Sequence, residues 1–310
     1  MFKIGPLSLA QPTALAPMAA LTDPVFRRLV DEIGDAGWLV SEMISAEGLR
    51  RRNRRTLAML QEFPARIPQF LQLFGSEPDA LSDAARITAA ETSFSGIDIN
   101  MGCPVPKVMR GGAGAGLLGD LRRMARLVRA VRNACRLPLT VKVRLGIARI
   151  NVLDSARVIE SEGADALAVH FRLKTDGYVK SSDWSTAEEI KARLHIPLIG
   201  NGDIDSMEQA FHRLETVDAV MIGRGAIADP FVFSKIAGKP TKAGQWSRLA
   251  ARLCELVEEY YPEHNWISRI KGFTRYMTFN GRVSRSRKKP LFLAATYPEV
   301  KNRFLELAAE

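Results

Sequence analysis

Short apolar runs rich in Val, Ile and Leu recur along the first 225 residues. They read TALAP (13–17), WLVSEM (38–43), FLQLF (70–74), IDINM (97–101), LTVKVR (139–144), ALAVH (166–170), PLIGN (197–201) and AVMIG (219–223). Runs of this length and composition predict strands. In most of the gaps, apolar positions return every three to four residues. Residues 23–33, 79–92, 120–136, 152–162, 186–194 and 206–214 therefore predict amphipathic helices, several opening on an Asp or Ser suited to cap one. Eight alternating βα units in about 230 residues point to a parallel (β/α)8 TIM barrel. A doubly wound open sheet is the alternative, but no GxGxxG follows the first run.

Polar residues inside the runs favour the barrel. Side chains alternate along a strand, so Asp98 and Asn100 share one face, as do Thr140, Lys142 and Arg144, while Val141 and Val143 face the helices. His170 ends the sixth run and Asn201 the seventh. Polar residues thus gather at strand C-termini, where barrels of this type do chemistry. One such residue reads as a strand cap; several on successive strands read as a site.

After residue 240 the pattern changes. GKPTKAGQ (238–245) has the composition of a linker, and 246–261, 266–279 and 291–307 predict helices without strand signals. The expected organisation is a barrel over 1–240 and a small helical domain over 241–310. The 310-residue chain is 46% hydrophobic and 25% charged, which excludes global disorder. No apolar run approaches the roughly 20 residues that span a bilayer, and MFKIGPLSLAQP is too short and interrupted for a secretory signal. Three cysteines make no disulfide framework, so a reduced, cytoplasmic location is expected.

The net charge of +10 leaves solubility and a polyanionic partner evenly matched. Its distribution favours the partner. Arg50, Arg51, Arg52, Arg54 and Arg55 fall within six positions, and residues 241–310 carry 13 Lys/Arg against 7 Asp/Glu, including SRSRKK at 284–289.

Candidate chemistry sits at the ends of the runs. GNGDI (200–204) and IGRGA (222–226) are glycine-bearing turns after the seventh and eighth strands, where barrels commonly bind phosphate through backbone N–H groups. Arg224 adds a charge-assisted fork. Lys142 would point into the mouth and needs a partner, either a flavin ring that becomes negative near N1 or Asp98. Gln72 can donate and accept at a heterocycle edge. Cys103, on a mouth loop between Gly102 and Pro104, has a proton to give near neutral pH; as a nucleophile it would want a base, with His170 a candidate. Cys135 and Cys254 read as structural. Four histidines and three cysteines without paired spacing argue against a metal site.

ALAPMAALTDPVFRRL, FLQLFGSEP, GIDINMGCPVPKV, LTVKVRLG, PLIGNGDI and AVMIGRGA occur in this order, and SRIKGF follows at 268–273. Together they resemble the tRNA-dihydrouridine synthase family of bacterial type, between its subgroups B and C, over nearly the whole chain. DINMGCP is specific to that family; GNGD and GRG are shared with many phosphate-binding barrels.

The resemblance implies FMN in the barrel mouth, NADPH (or NADH) as reductant, and reduction of a D-loop uridine of tRNA to 5,6-dihydrouridine. It implies that Pro17, Met18 and Ala19 line the flavin, that Gln72 and Lys142 meet its ring, and that His170 lies beside it. Asn201, Gly202, Asp203, Gly223 and Arg224 would hold the ribityl phosphate. Cys103 would protonate C5, Asn100 would orient the base, and Arg269 and Lys271 would grip the tRNA backbone. The reacting base must leave its stack to enter the barrel, and the basic helical domain with the Arg50–Arg55 cluster would hold phosphates. A monomer without metal or membrane partner is expected. The family's HGRT reads HFRLKTDGY here (170–178), with Phe171 for glycine and Leu173 for threonine, while His170 and Arg172 are kept. LGIARIN after the fifth strand is shorter than usual. The alternatives are a flavin barrel acting on a small pyrimidine, which does not need the basic helical domain, and a non-enzymatic RNA-binding barrel, which has no use for Lys, Cys and Asn at one mouth.

Overall fold

In the computed structural model, which describes residues 1–177, 179–281 and 283–309, the chain opens with an element its apolar pattern did not disclose. Strands β1 (Phe2–Ile4) and β2 (Leu7–Leu9) pair antiparallel, turning at Gly5 with φ +53°. Eight parallel strands follow as β3 (Thr13–Leu15), β4 (Trp38–Val40), β6 (Gln69–Phe74), β7 (Gly96–Asn100), β8 (Leu139–Gly146), β9 (Ala166–Leu173), β10 (Leu198–Asn201) and β11 (Ala219–Ile222). Each pairs with the next, β11 returns to β3, and β4 pairs with β6, so the sheet closes into the TIM barrel. The run at 38–43 stops at Val40, and β5 (Ile44–Ser45) resumes pairing alongside Leu73 and Phe74.

Two apolar layers hold the barrel. Inside it, Ala14, Ala166, Ala168 and Ala219 leave room for Trp38 and Phe70, and Ile4 and Leu9 of the hairpin join the same cluster. Phe2 stacks on Trp38 at 5.5 Å. The hairpin thereby plugs the N-terminal end, leaving the C-terminal end for chemistry. Outside, alternate strand residues such as Val141 and Val143 pack against the helices. Those helices start where their caps stand: Asp23 Oδ1 accepts from Phe26 N at 2.9 Å, and Asp120 Oδ1 from Arg123 N at 2.9 Å. Cys135 ends the latter helix as its C-cap, one residue past Ala134, whereas Cys254 lies buried inside one.

The C-terminal segment forms helices Gln245–Tyr260, Trp266–Tyr276, Arg285–Leu293 and Tyr297–Ala309. The single helix predicted over 291–307 is thus two. Pro298 has no N–H for the Ala294 carbonyl, and its ring would clash there, so the chain breaks and restarts with proline in the first turn. This unit shares its core with the barrel. Phe26 stacks on Phe273 at 5.6 Å, and Arg252 Nε donates to Glu32 at 2.8 Å. Among the described residues no helix is long and apolar enough to cross a membrane.

Candidate active site

A cavity of about 860 Å³ opens at the C-terminal ends of the strands, within the range for small-molecule and cofactor sites. All the residues expected at the coenzyme, from Pro17 to Arg224, line it together with Asn100 and Cys103. Arg269 and Lys271 do not.

The floor is a hydrogen-bonded layer set by strand register. Gln72, Asp98 and Thr140 are neighbours across β6, β7 and β8, and all three are buried. Thr140 Oγ1 donates to Asp98 Oδ1, and Gln72 Nε2 donates to Asp98 Oδ2 at 2.6 Å. Burial pushes the Asp98 carboxyl up to about 6 against these bonds and Lys142. One layer up, Asn100 Nδ2 donates to Gln72 Oε1 at 2.9 Å, and Asn100 Oδ1 accepts from the backbone N–H groups of Gly102 (3.2 Å) and Cys103 (2.9 Å).

Among the described residues Lys142 makes no hydrogen bond with Asp98, one of the two partners open to it from the sequence. Its Nζ donates to Asn201 Oδ1 at 3.0 Å, and Asn201 Nδ2 donates to the Met221 carbonyl at 2.7 Å. Burial, with Arg144 close by, draws the ammonium down to about 8. His170, buried among Lys142, Arg144, Arg172 and Arg224, is held well below the usual imidazole range. Its Nε2 lies 3.0 Å from Arg172 Nη1. A guanidinium only donates, so Nε2 accepts and the ring proton sits on Nδ1. That lone pair is therefore engaged by Arg172.

At the seventh and eighth strand ends, Asp203 gathers cations. Its carboxylate accepts from Arg172 Nη2 at 2.6 Å, Arg224 Nη2 at 3.0 Å and the Ser182 backbone N–H at 2.8 Å. Burial pushes the carboxyl up, but Arg172 and Ser182 outweigh it and hold the group below its ordinary value. Gly202 has φ +134°, and a Cβ there would fall 2.3 Å from Ser182 Oγ, so any side chain would be strained. At Gly223 a Cβ would stand 3.2 Å from Met18 Sδ.

The Cys103 loop is held on three sides. Besides Asn100, Arg144 Nε donates to the Gly102 carbonyl at 2.9 Å, and Ala115 N donates to the Cys103 carbonyl at 2.9 Å. The Pro17–Ala19 loop is tied by Met18 N donating to Thr22 Oγ1 at 2.7 Å. Phe171 turns away from the cavity and stacks on Trp184 at 4.2 Å, so the exchange of glycine for Phe alters the outer layer. Leu173 ends β9, with its carbonyl accepting from Arg144. Tyr178, the last residue of that segment, lies outside the described residues.

Arg269 and Lys271 are turned inward. Arg269 Nη1 donates to Asp23 Oδ2 at 3.1 Å, and the guanidinium lies 4.2 Å over the Tyr261 ring. Lys271 Nζ donates to the carbonyls of Phe292 (3.0 Å) and Ala294 (2.7 Å), capping a helix C-terminus. In the Arg50–Arg55 cluster, Arg50 pairs with Asp83, Arg51 with Glu47 and Arg52 with Glu91. Arg275, Arg285, Arg287 and Lys289 are exposed.

Several lining residues were not singled out from sequence, among them Met43, Val105 and Tyr276. Tyr276 is exposed and reaches the rim from the C-terminal unit, a placement no local pattern announces. Chemically, the cavity suits a flat heterocycle bearing an anionic tail, with a thiol beside it.

Residues 14–285 match the sequence model of the family described as Dihydrouridine synthase (Dus). A "Probable tRNA-dihydrouridine synthase" of Mycobacterium tuberculosis is 32% identical over 320 residues, covering 96% of this chain and 82% of that protein. A "tRNA-dihydrouridine synthase B" of Xanthomonas axonopodis pv. citri is 40% identical over 239 residues, covering 76% and 71%. Among solved structures, a 2-naphthoyl-CoA reductase complex superposes with TM-score 0.60 at 14% identity, over 77% of this chain and 52% of that one. The old yellow enzyme homologue of Zymomonas mobilis does so with TM-score 0.58 at 13% identity, over 89% and 98%. At such identities the structures speak for the barrel fold alone.

Proposed function

The chain belongs to the dihydrouridine synthase family, and from that premise we propose how its cavity serves the flavin-dependent reduction of a uridine in tRNA to 5,6-dihydrouridine. FMN is the flavin of this reading and NADPH the source of its electrons. The donor set supports FMN. Arg172 and Arg224 bring two guanidinium groups to Asp203 at the strand ends, where fork-shaped donors suit a phosphate. Lys142, beside Asn100 in register, would meet the flavin ring together with Gln72, and the bare backbone at Gly202 and Gly223 would admit close approach. When bound, the flavin supplies a hydride to C6 of the uracil.

The chain's own residues do the rest. Cys103 holds a proton on Sγ and delivers it to C5, so that the C5=C6 bond gains one hydride and one proton. With the His170 lone pair engaged by Arg172, the thiol stays an acid rather than a nucleophile. Asn100 shapes the thiol loop and presents its amide to the base. Pro17, Met18 and Ala19 wall the site from water on one side. Arg269 and Lys271 act on tRNA through what they hold, the mouth loop and a helix end, while Arg275, Arg285, Arg287 and Lys289 offer cations to phosphates.

The observation that carries this reading is the convergence of Cys103, Asn100 and Lys142 on one cation-rich cavity. Mapping dihydrouridine position by position in tRNA from cells with and without the protein tests it. At least one D-loop position should revert to uridine in the deletion. An unchanged map in a strain without related enzymes would reject the activity.

A further inference from the structure

Asp98 lies beneath the site and touches neither the mouth nor Lys142 Nζ through a hydrogen bond. We propose that Asp98 is a positioning residue for the thiol of Cys103, acting through a polarised chain of hydrogen bonds that passes by way of Gln72 and Asn100. The inference deepens the reading of Cys103 as proton donor and rests on it.

The polarity follows from the two ends. A carboxylate only accepts and a backbone N–H only donates. Facing the Asp98 oxygen, Gln72 must present its NH2 group, which it does at 2.6 Å. Its carbonyl oxygen then faces Asn100, which must also present its NH2 group, and does so at 2.9 Å. The Asn100 oxygen is left facing the N–H groups of Gly102 and Cys103, at 3.2 and 2.9 Å. Reversing either amide would set donor against donor or acceptor against acceptor in a buried site, which is costly. Asp98 therefore fixes how Asn100 points, and Asn100 fixes the turn that carries Cys103.

Among the described residues no other contact does this. Arg144 and Ala115 hold the loop by its carbonyls and leave its N–H groups to Asn100. Thr140 donates to the remaining Asp98 oxygen, so the carboxylate is itself held in one rotamer. The inner end of the chain of bonds is also dry. Asp98 is 0% exposed and Gln72 1%, so water cannot substitute for a missing link. A displacement of about 1 Å at a reacting atom can cost on the order of a hundredfold in rate, so a distant acceptor can matter to turnover.

The test compares Asp98→Leu, which removes the acceptor, with Asp98→Asn, which can still accept from Gln72 while donating to the Thr140 hydroxyl. The first readout is independent of flavin and tRNA: amide hydrogen exchange at Gly102 and Cys103, and alkylation of Cys103 by iodoacetamide, followed by peptide mass spectrometry. In Asp98→Leu both rates should change by about threefold or more, and kcat should fall about 10- to 100-fold with the KM for tRNA within about twofold. Asp98→Asn should return each to within about threefold of the parent. If Asp98→Leu does not fold, Gln72→Leu cuts the same chain one link on and should loosen the same two amides. Unchanged exchange and alkylation in a folded Asp98→Leu or Gln72→Leu protein would overturn the proposal, as would an Asp98→Asn protein no better than Asp98→Leu. Loosened amides with undiminished turnover would uphold the chain of bonds and reject the proton-donor role of Cys103 instead.

Discussion

The ammonium of Lys142 on β8 donates to the side-chain oxygen of Asn201 on β10 at 3.0 Å, bridging across β9, where Ala168 and His170 are their neighbours in register. Asn201 in turn leans on the Met221 carbonyl, so the lysine is held upright by the sheet itself. A cation fixed in this way needs no anion to stay in place, and remains available to one.

That availability depends on pH. Burial beside Arg144 draws Lys142 down to about 8, so it is charged below that pH and neutral above it. A ligand that prefers the charged form raises this pKa on binding, and its affinity is highest below pH 8 and declines as pH climbs towards the raised value. FMN titrated into the apoprotein between pH 7 and 9.5 should bind up to about tenfold more weakly per pH unit above 8. Lys142→Met should bind more weakly at pH 7 and lose the slope; a variant that keeps the slope would assign the titration to another group.

Cys103→Ala should leave flavin bound, because the loop is held through the Cys103 backbone N–H and carbonyl, which the substitution keeps. Turnover of tRNA should fall by about 10²- to 10⁴-fold, the usual worth of a positioned acid. Visible absorbance of the purified variant and single-turnover formation of dihydrouridine measure the two separately. Turnover equal to the parent's would move the proton to another donor.

Arg269 pairs with Asp23, a carboxyl that burial raises despite Tyr261 and the arginine. Arg269→Met should destabilise the fold by about 1 to 3 kcal/mol, less than a fully buried pair because the arginine is partly exposed. Urea unfolding reads this directly. The salt dependence of tRNA binding should keep its slope, since removing a cation that neutralises one phosphate would reduce it by about 0.7 to 0.9. A flattened slope with unchanged stability would return Arg269 to the phosphate backbone.

Phe273 and Phe26 stack across the boundary between the barrel and the C-terminal helices. Phe273→Ala should cost about 3 to 5 kcal/mol. Because the apolar layer is continuous, thermal unfolding should stay a single transition. Two resolved transitions would show that residues 1–240 and 241–310 unfold separately.

What the chain discloses locally and what it withholds divide along clear lines. All eight barrel strands lie within a few residues of the apolar runs, because alternation and run length are properties of neighbouring positions. The placement of Gln72, Asp98, Asn100, Lys142 and Asn201 on inward faces follows from the same period of two. The hairpin at β1 and β2 is hidden because Lys3, Gly5, Pro6 and Ser8 interrupt its apolar residues, which leaves no continuous apolar run. The break at 294–296 was hidden by a helical pattern that continues on both sides of it, although Pro298 marks the place.

By itself the sequence determined the barrel, the end at which its polar residues gather, and the residue types found there, since these rest on periodicity and on glycine turns that are read in order. Only the tertiary structure decided who holds whom: Lys142 by Asn201, Asp203 by Arg172 and Arg224, the His170 lone pair by Arg172, Arg269 by Asp23. Each partner lies on a different stretch of chain. A side chain chooses among partners by distance and burial, which the folded backbone sets and the local pattern does not carry.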